Sequence, residues 1–328
     1  MDKVARLPAA ERNELFSESA AKLGTTPAVI EKDFWATWVL ARLFGQPELA
    51  RLLMFKGGTS LSKAYRLIER FSEDIDLILD WRVLDVADPP VALSKSQQMK
   101  LNEAVNKKAN AYIGSELLPQ VAAMLGGICT CELKSGAPHV VMVHYPAAFS
   151  DAYHLPYVQL EIGPLASWVP YEQKEITSYA AGAFPHVFEH ASCMVNVIKA
   201  ERTFWEKATI LHQEAHRAAD KPLPGRHSRH YYDVARMAAS PVRQAALNDM
   251  GMLADVAEFK QRFYPCAWAR YDLAQPGTLR LVPEGAALDA VKADYRAMAN
   301  MMFGQALEFD EIMDVLRQLE IEINGGGA

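Results

Sequence analysis

The segment Phe55-Lys56-Gly57-Gly58-Thr59-Ser60-Leu61-Ser62, followed by Arg70-Phe71-Ser72-Glu73-Asp74-Ile75-Asp76-Leu77, constrains this chain more than any other. A short apolar strand is predicted over Leu52 to Lys56, a helix over Leu61 to Arg70 and a second strand over Phe71 to Leu79. Gly57-Gly58 lets the backbone approach a phosphate closely. Thr59, Ser60 and the first amides of the helix supply donors at its positive end. On the second strand, side chains alternate between faces, so Ser72, Asp74 and Asp76 share one face while Ile75, Leu77 and Leu79 enter the core. Two carboxylates so placed repel each other unless cations lie between them. Oxygen ligands of this kind suit Mg²⁺, or Mn²⁺ in its place, with water and substrate phosphate completing the coordination.

Composition permits such a site and excludes several alternatives. With 328 residues, half of them hydrophobic, the chain can bury a sizeable core. No apolar stretch approaches the ~20 residues that cross a bilayer, and the first residues lack a signal peptide's apolar core, so a cytoplasmic protein without membrane contact is expected. Cys129, Cys131, Cys193 and Cys266 form neither a disulfide framework nor a zinc pattern. His212-Gln213-Glu214-Ala215-His216 has the i,i+4 histidines of a zinc protease, but its glutamate falls about 200° around a helix from His212, so no zinc site is expected. The net charge of −6 hides an uneven distribution. Residues 199–243 hold nine Lys/Arg against five Asp/Glu, which predicts a local basic surface for phosphates.

Along the chain, helices fill the first fifty residues, with Thr26-Pro27 as a helix start and Ile30, Phe34 and Trp38 at helical spacing. Leu93 to Leu125 is mostly helical. Strands follow at Ile128 to Lys134, Val140 to Tyr145 and Tyr157 to Ile162. Pro164 to Pro185 reads as loop, and long helices are expected from about His190 onward. The prediction is an α+β lobe over residues 1–185, with N-terminal helices, and a helical lobe over 186–328. Glu161 is a candidate third carboxylate, because Val158, Leu160 and Ile162 take one strand face and leave Gln159 and Glu161 on the other. It would bind metal or accept the proton of an attacking hydroxyl.

In their order, these motifs resemble the nucleotidyltransferase AbiEii/AbiGii toxin family. The resemblance also runs through Glu31-Lys32-Asp33-Phe34-Trp35, Val158-Gln159-Leu160-Glu161-Ile162-Gly163, Arg202-Thr203-Phe204-Trp205-Glu206-Lys207 and Ser228-Arg229-His230-Tyr231-Tyr232-Asp233, covering about residues 30–240. It implies a DNA polymerase β-like nucleotidyltransferase core and a bacterial toxin with a cognate antitoxin. It implies Asp74 and Asp76 as metal carboxylates, Ser72 in the nucleotide pocket, and Lys207 and Asp233 as downstream catalytic residues. The implied reaction moves NMP from an NTP to an RNA acceptor, a tRNA 3′ end above all. Lys207 and Arg229 would add charge for phosphates. Transfer to a protein or small molecule, and a non-catalytic nucleotide-binding defence protein, are the alternatives.

Overall fold

The computed structural model describes residues 1–70, 74–84, 86, 93–149, 155–218, 221–298, 302 and 307–325. Ser72 and the turn expected over Asp85 to Pro90 are not among them, apart from Val86. The chain divides into two compact units, Met1–Ala64 with Phe71–Ile198, and Tyr65–Arg70 with Lys199–Ala328. The sequence predicts a boundary near residue 186, and the first unit runs on to Ile198.

The first unit is built on a seven-stranded mixed sheet. Its elements are α1 (Asp2–Ala5), α2 (Ala9–Leu23), α3 (Pro27–Phe44), α4 (Pro47–Leu52), β1 (Leu53–Lys56), α5 (Gly57–Lys63) and β2 (Asp74–Leu79). Then come α6 (Lys95–Tyr112), α7 (Leu118–Leu125), β3 (Thr130–Lys134), β4 (Ala137–His144), β5 (Tyr157–Gly163), β6 (Tyr171–Thr177), α8 (Tyr179–Ala183) and β7 (Ser192–Ile198). The strand order is β3-β4-β5-β2-β1-β7-β6. β2 runs parallel to β5 and antiparallel to β1, and β1 runs parallel to β7.

Two sequence expectations fail here. Residues 171–177 are a strand, not loop, and 192–198 are a strand, not the start of a helix. β6 lies at the sheet edge, where Tyr171, Gln173 and Glu175 are exposed and only Ile176 is buried, so its pattern carries little apolar signal. The helix expected over residues 61–70 starts at Gly57 and ends at Lys63, and Arg66 beyond it adopts a left-handed conformation (φ 55°).

α3 starts as predicted, with Thr26 Oγ1 accepting the Val29 N–H at 3.4 Å and Pro27 in the first turn. It buries Ile30, Phe34 and Trp38, but also Glu31, Lys32 and Asp33. The Glu31 carboxylate accepts the N–H groups of Ala148 and Phe149 at 2.9 and 3.1 Å. Asp33 accepts the Tyr179 N–H at 2.7 Å and forms an ion pair with Lys63 at the end of α5. These buried carboxylates satisfy backbone donors of connecting segments, which helical periodicity alone does not reveal.

The second unit is helical, with α9 (Ala200–Ala215), α10 (Ser228–Ala238), α11 (Val242–Leu247), α12 (Met250–Phe263), α13 (Ala286–Ala297) and α14 (Phe309–Gly325). α10 is central, packed on α9, α13 and α14, and its Tyr231, Tyr232, Val234 and Met237 are buried. The short segment Tyr65–Arg70 belongs to this unit. Tyr232 Oη accepts the Glu69 N–H at 3.2 Å, Arg236 donates to the Leu67 carbonyl at 3.4 Å, and Arg70 forms an isolated antiparallel bridge with Met302.

Candidate active site

In the first unit, β1 is buried over Leu53, Met54 and Phe55 and delivers the chain to Gly57 at φ +79°, a left-handed conformation that favours glycine. The reason for glycine is also steric. A Cβ at residue 57 would lie 1.9 Å from Asp76 Oδ2, so the turn rests directly against the carboxylate. Thr59 Oγ1 donates to the Asp74 carbonyl, and Ser60 Oγ donates to the Gly57 carbonyl at 2.8 Å. Both side chains are buried. Through these bonds the two hydroxyls brace the turn and tie it to β2.

Asp74 and Asp76 are half-buried, alternating with the buried Ile75 and Leu77. Strand register places Asp74 beside Gln159, and Asp76 between Lys56 and Glu161. Residues opposite one another in a sheet share a face, so Asp74, Asp76 and the exposed Glu161 lie on one side of it. Gln159 Nε2 donates to Asp74 Oδ1 at 2.7 Å. Among the described residues, no three or more His, Cys, Asp or Glu side chains converge on one ion. Asp74 and Asp76, two hard oxygen donors on one strand face, fit a divalent cation that keeps water and phosphate ligands, as Mg²⁺ does.

In the second unit, Lys207 of α9 and Asp233 of α10 meet in a buried cluster. Arg70 makes a bidentate contact with Asp233, Nε to Oδ1 and Nη2 to Oδ2, both at 2.7 Å. Lys207 Nζ lies 2.8 Å from Asp233 Oδ2 and 3.4 Å from His230 Nδ1. Burial alone would raise the Asp233 carboxyl, but the Arg70 guanidinium and Lys207 ammonium outweigh it and hold it well below the usual carboxylate range. Burial, aided by Lys207, pushes His230 well below its ordinary value, so the ring is neutral. Because Lys207 can only donate, Nδ1 of that neutral ring is the acceptor.

The basic segment is less basic at its surface than its composition suggests. Arg202, Lys207, Arg217, Arg236 and Arg243 are engaged by Glu206, Asp233, Glu214, Glu69 and Glu322. Lys199 and Lys221 are exposed, and Arg229, expected at phosphates, is half-buried on α10. His212 is buried, with Nε2 2.9 Å from the Arg270 carbonyl and Nδ1 accepting the Arg280 N–H at 3.0 Å.

Residues 38–315 match the family described as Nucleotidyl transferase AbiEii toxin, Type IV TA system. The chain belongs to the AbiEii nucleotidyltransferase toxin family. No curated protein matches the chain in sequence. Among solved structures, MenT4, a nucleotidyltransferase toxin from Mycobacterium tuberculosis H37Rv, aligns over 95% of this chain and 97% of its own, with 17% identity and a TM-score of 0.44. JHP933 from Helicobacter pylori aligns over 90% of this chain and 92% of its own, with 16% identity and a TM-score of 0.39.

This AbiEii protein is therefore a nucleotidyltransferase toxin of a type IV toxin–antitoxin system, a class that uses an NTP and has an antitoxin partner. Among the described residues no helix is long and apolar enough to cross a membrane. Three AbiEii side chains near the carboxylates went unassigned in the sequence. Lys56 and Gln159 flank Asp76 and Asp74 only through strand pairing, and Arg70 reaches Asp233 across 163 residues of sequence. Of these, only Gln159 left a trace, by sharing the polar strand face of Glu161.

Proposed function

We propose that this toxin transfers an NMP from an NTP to the 3′ end of an RNA, a tRNA above all, and releases pyrophosphate. The observation that carries the reading is Asp74 and Asp76 on one strand face with the Gly57 turn pressed against Asp76. Asp74 and Asp76, with Glu161 on the neighbouring strand, are the oxygen ligands that would hold Mg²⁺ or Mn²⁺. Such ions, when bound, neutralise triphosphate charge and ease deprotonation of the attacking hydroxyl.

The remaining roles belong to the chain itself. Backbone amides of Gly57 to Ser60 bind phosphate oxygens, while Thr59 and Ser60 keep that turn rigid. Ser72 lines the nucleotide pocket, as the family resemblance implies. Glu161 is the exposed carboxylate placed to accept the acceptor's proton. Asp233 orients Lys207 and sustains its charge, and Arg229 adds a cation on the same helix as Asp233. The RNA acceptor rests on the family resemblance, since most cations of residues 199–243 are engaged within the protein.

The test is incubation with each α-labelled NTP, alone and with total RNA, followed by sequencing of RNA 3′ ends. Label is expected on RNA, and Asp74→Ala with Asp76→Ala should reduce it by about 10²- to 10³-fold or more. Label on the protein itself or on a small molecule would replace the RNA acceptor. Unchanged labelling by the double variant would overturn the assignment.

A further inference from the structure

We propose that Gln159 and Lys134 are positioning residues for Asp74. Lys134 fixes which way the Gln159 amide points, and the amide in turn fixes the Asp74 carboxylate. The inference rests on the reading of Asp74 as a metal carboxylate.

Three strands build the relay. Lys134 ends β3, Gln159 is the third residue of β5, and Asp74 begins β2, with β4 lying between β3 and β5. Lys134 Nζ donates to Gln159 Oε1 at 2.7 Å, and Gln159 Nε2 donates to Asp74 Oδ1 at 2.7 Å. The amide orientation follows from chemistry. An ammonium has no acceptor to offer and a carboxylate has no donor, so only Oε1 toward Lys134 and Nε2 toward Asp74 satisfies both contacts. Without Lys134 the amide could turn its oxygen toward the carboxylate, where two acceptors repel.

Parallel pairing of β2 with β5 sets Asp74 opposite Gln159, so a side chain of this length meets the carboxylate without leaving its strand. Lys134 is exposed at the sheet edge, and its long stem spans the intervening strand. A carboxylate held in one rotamer before a cation arrives loses less freedom on binding it. Neighbours that orient a ligand in this way typically matter by about 10- to 100-fold in metal affinity or activity.

The experiment compares Gln159→Met, Lys134→Met, Lys134→Arg, the Gln159→Met/Lys134→Met double variant and Asp74→Ala in the full chain. Mn²⁺ affinity of the protein without nucleotide is read by electron paramagnetic resonance, kcat and KM with the NTP, and Tm as a check on folding. Gln159→Met keeps the length of the side chain and should weaken Mn²⁺ binding and kcat by about 10-fold or more with Tm unchanged. Lys134→Met should cost about 2- to 5-fold, and Lys134→Arg, which keeps a donor, should recover most of that. Because the two residues act through one carboxylate, the double variant should fall no further than Gln159→Met alone. Mn²⁺ affinity and kcat of Gln159→Met within about twofold of wild type, a fall confined to Tm, or losses that multiply in the double variant would each overturn the relay. If Asp74→Ala itself leaves Mn²⁺ binding intact, the reading of Asp74 fails instead, which separates the two outcomes.

Discussion

Two carboxylate sites, one in each unit, use the same residue type for opposite ends. Asp74 and Asp76 stand half-buried on a strand, side by side with a third acid on the next strand, in an arrangement where like charges repel. Asp233 is fully buried, gripped by a bidentate guanidinium and an ammonium that between them more than neutralise it. The first arrangement keeps its carboxylates only half-buried, with Gln159 donating to Asp74 and Lys56 opposite Asp76 in the sheet. In the second, Arg70 and Lys207 already match the carboxylate's charge and tie α9, α10 and the segment 65–70 together. Exposure and the sign of the neighbours, not the aspartate itself, decide which is which.

The sharpest way to break this contrast is to remove each site in turn. Asp233→Asn leaves two buried cations facing a neutral amide and should destabilise the protein by about 3–5 kcal/mol, read from urea unfolding followed by tryptophan fluorescence. Asp74→Ala with Asp76→Ala should abolish transfer while moving stability by less than about 1 kcal/mol in either direction. A stable Asp233→Asn protein beside an unstable double variant would invert the comparison.

Gly57→Ala probes the border between chemistry and architecture within the first unit. Its Cβ would displace the Asp76 carboxylate, and the left-handed backbone adds about 1–2 kcal/mol of strain. Activity should collapse more than stability does. Near-normal transfer by this variant would mean that Asp76 does not need its observed position.

Mild acid should separate the units with a smaller effect. Burial pushes His212 down to about 4, below the ordinary histidine value, so the unfolded chain takes up a proton that the folded one refuses. Stability from this group is therefore present above about pH 6.5 and is lost as pH falls toward 4. His230 shifts in the same direction. In the first unit burial raises Glu31, so acidification toward its folded pKa favours the folded form there. Asp233, held low, contributes fully above the ordinary carboxylate range and loses that contribution as pH falls through and below it. Hydrogen exchange at pH 7.5 and 5.5, corrected for intrinsic rates, should show protection falling in α9 and α10 while α3 holds. Replacing His212 with Gln should flatten that response. Equal loss in both units would remove the distinction.

What could be read from the sequence was local. The glycine turn, the Asp-x-Asp alternation and the start of α3 each depend on residues a few positions apart, where helical or strand period fixes the geometry. The helical C-terminal region followed from the same patterns, and the nucleotidyltransferase core from the family resemblance. Register was not legible, so the polar face of Gln159 could be read but not its place beside Asp74, nor that of Lys56 beside Asp76. Nor was Arg70, whose partner lies far along the chain, or β6, whose edge position removes the apolar alternation. Net charge misled for a related reason: counting cations in residues 199–243 cannot tell a surface patch from one already matched by acids in α9, α14 and the segment 65–70.

The assignment of residues 65–70 to the second unit bears on how such a gene can be cut and recombined. An exchange or truncation at Ile198 does not deliver a self-sufficient C-terminal half, because Arg70 stays behind with the N-terminal piece. The separated half would keep Asp233 with one cation in place of two, and Tyr232 and Arg236 would lose the backbone they hold. A cut after strand β7 therefore costs the second unit part of its own fold, although it falls outside that unit's helices.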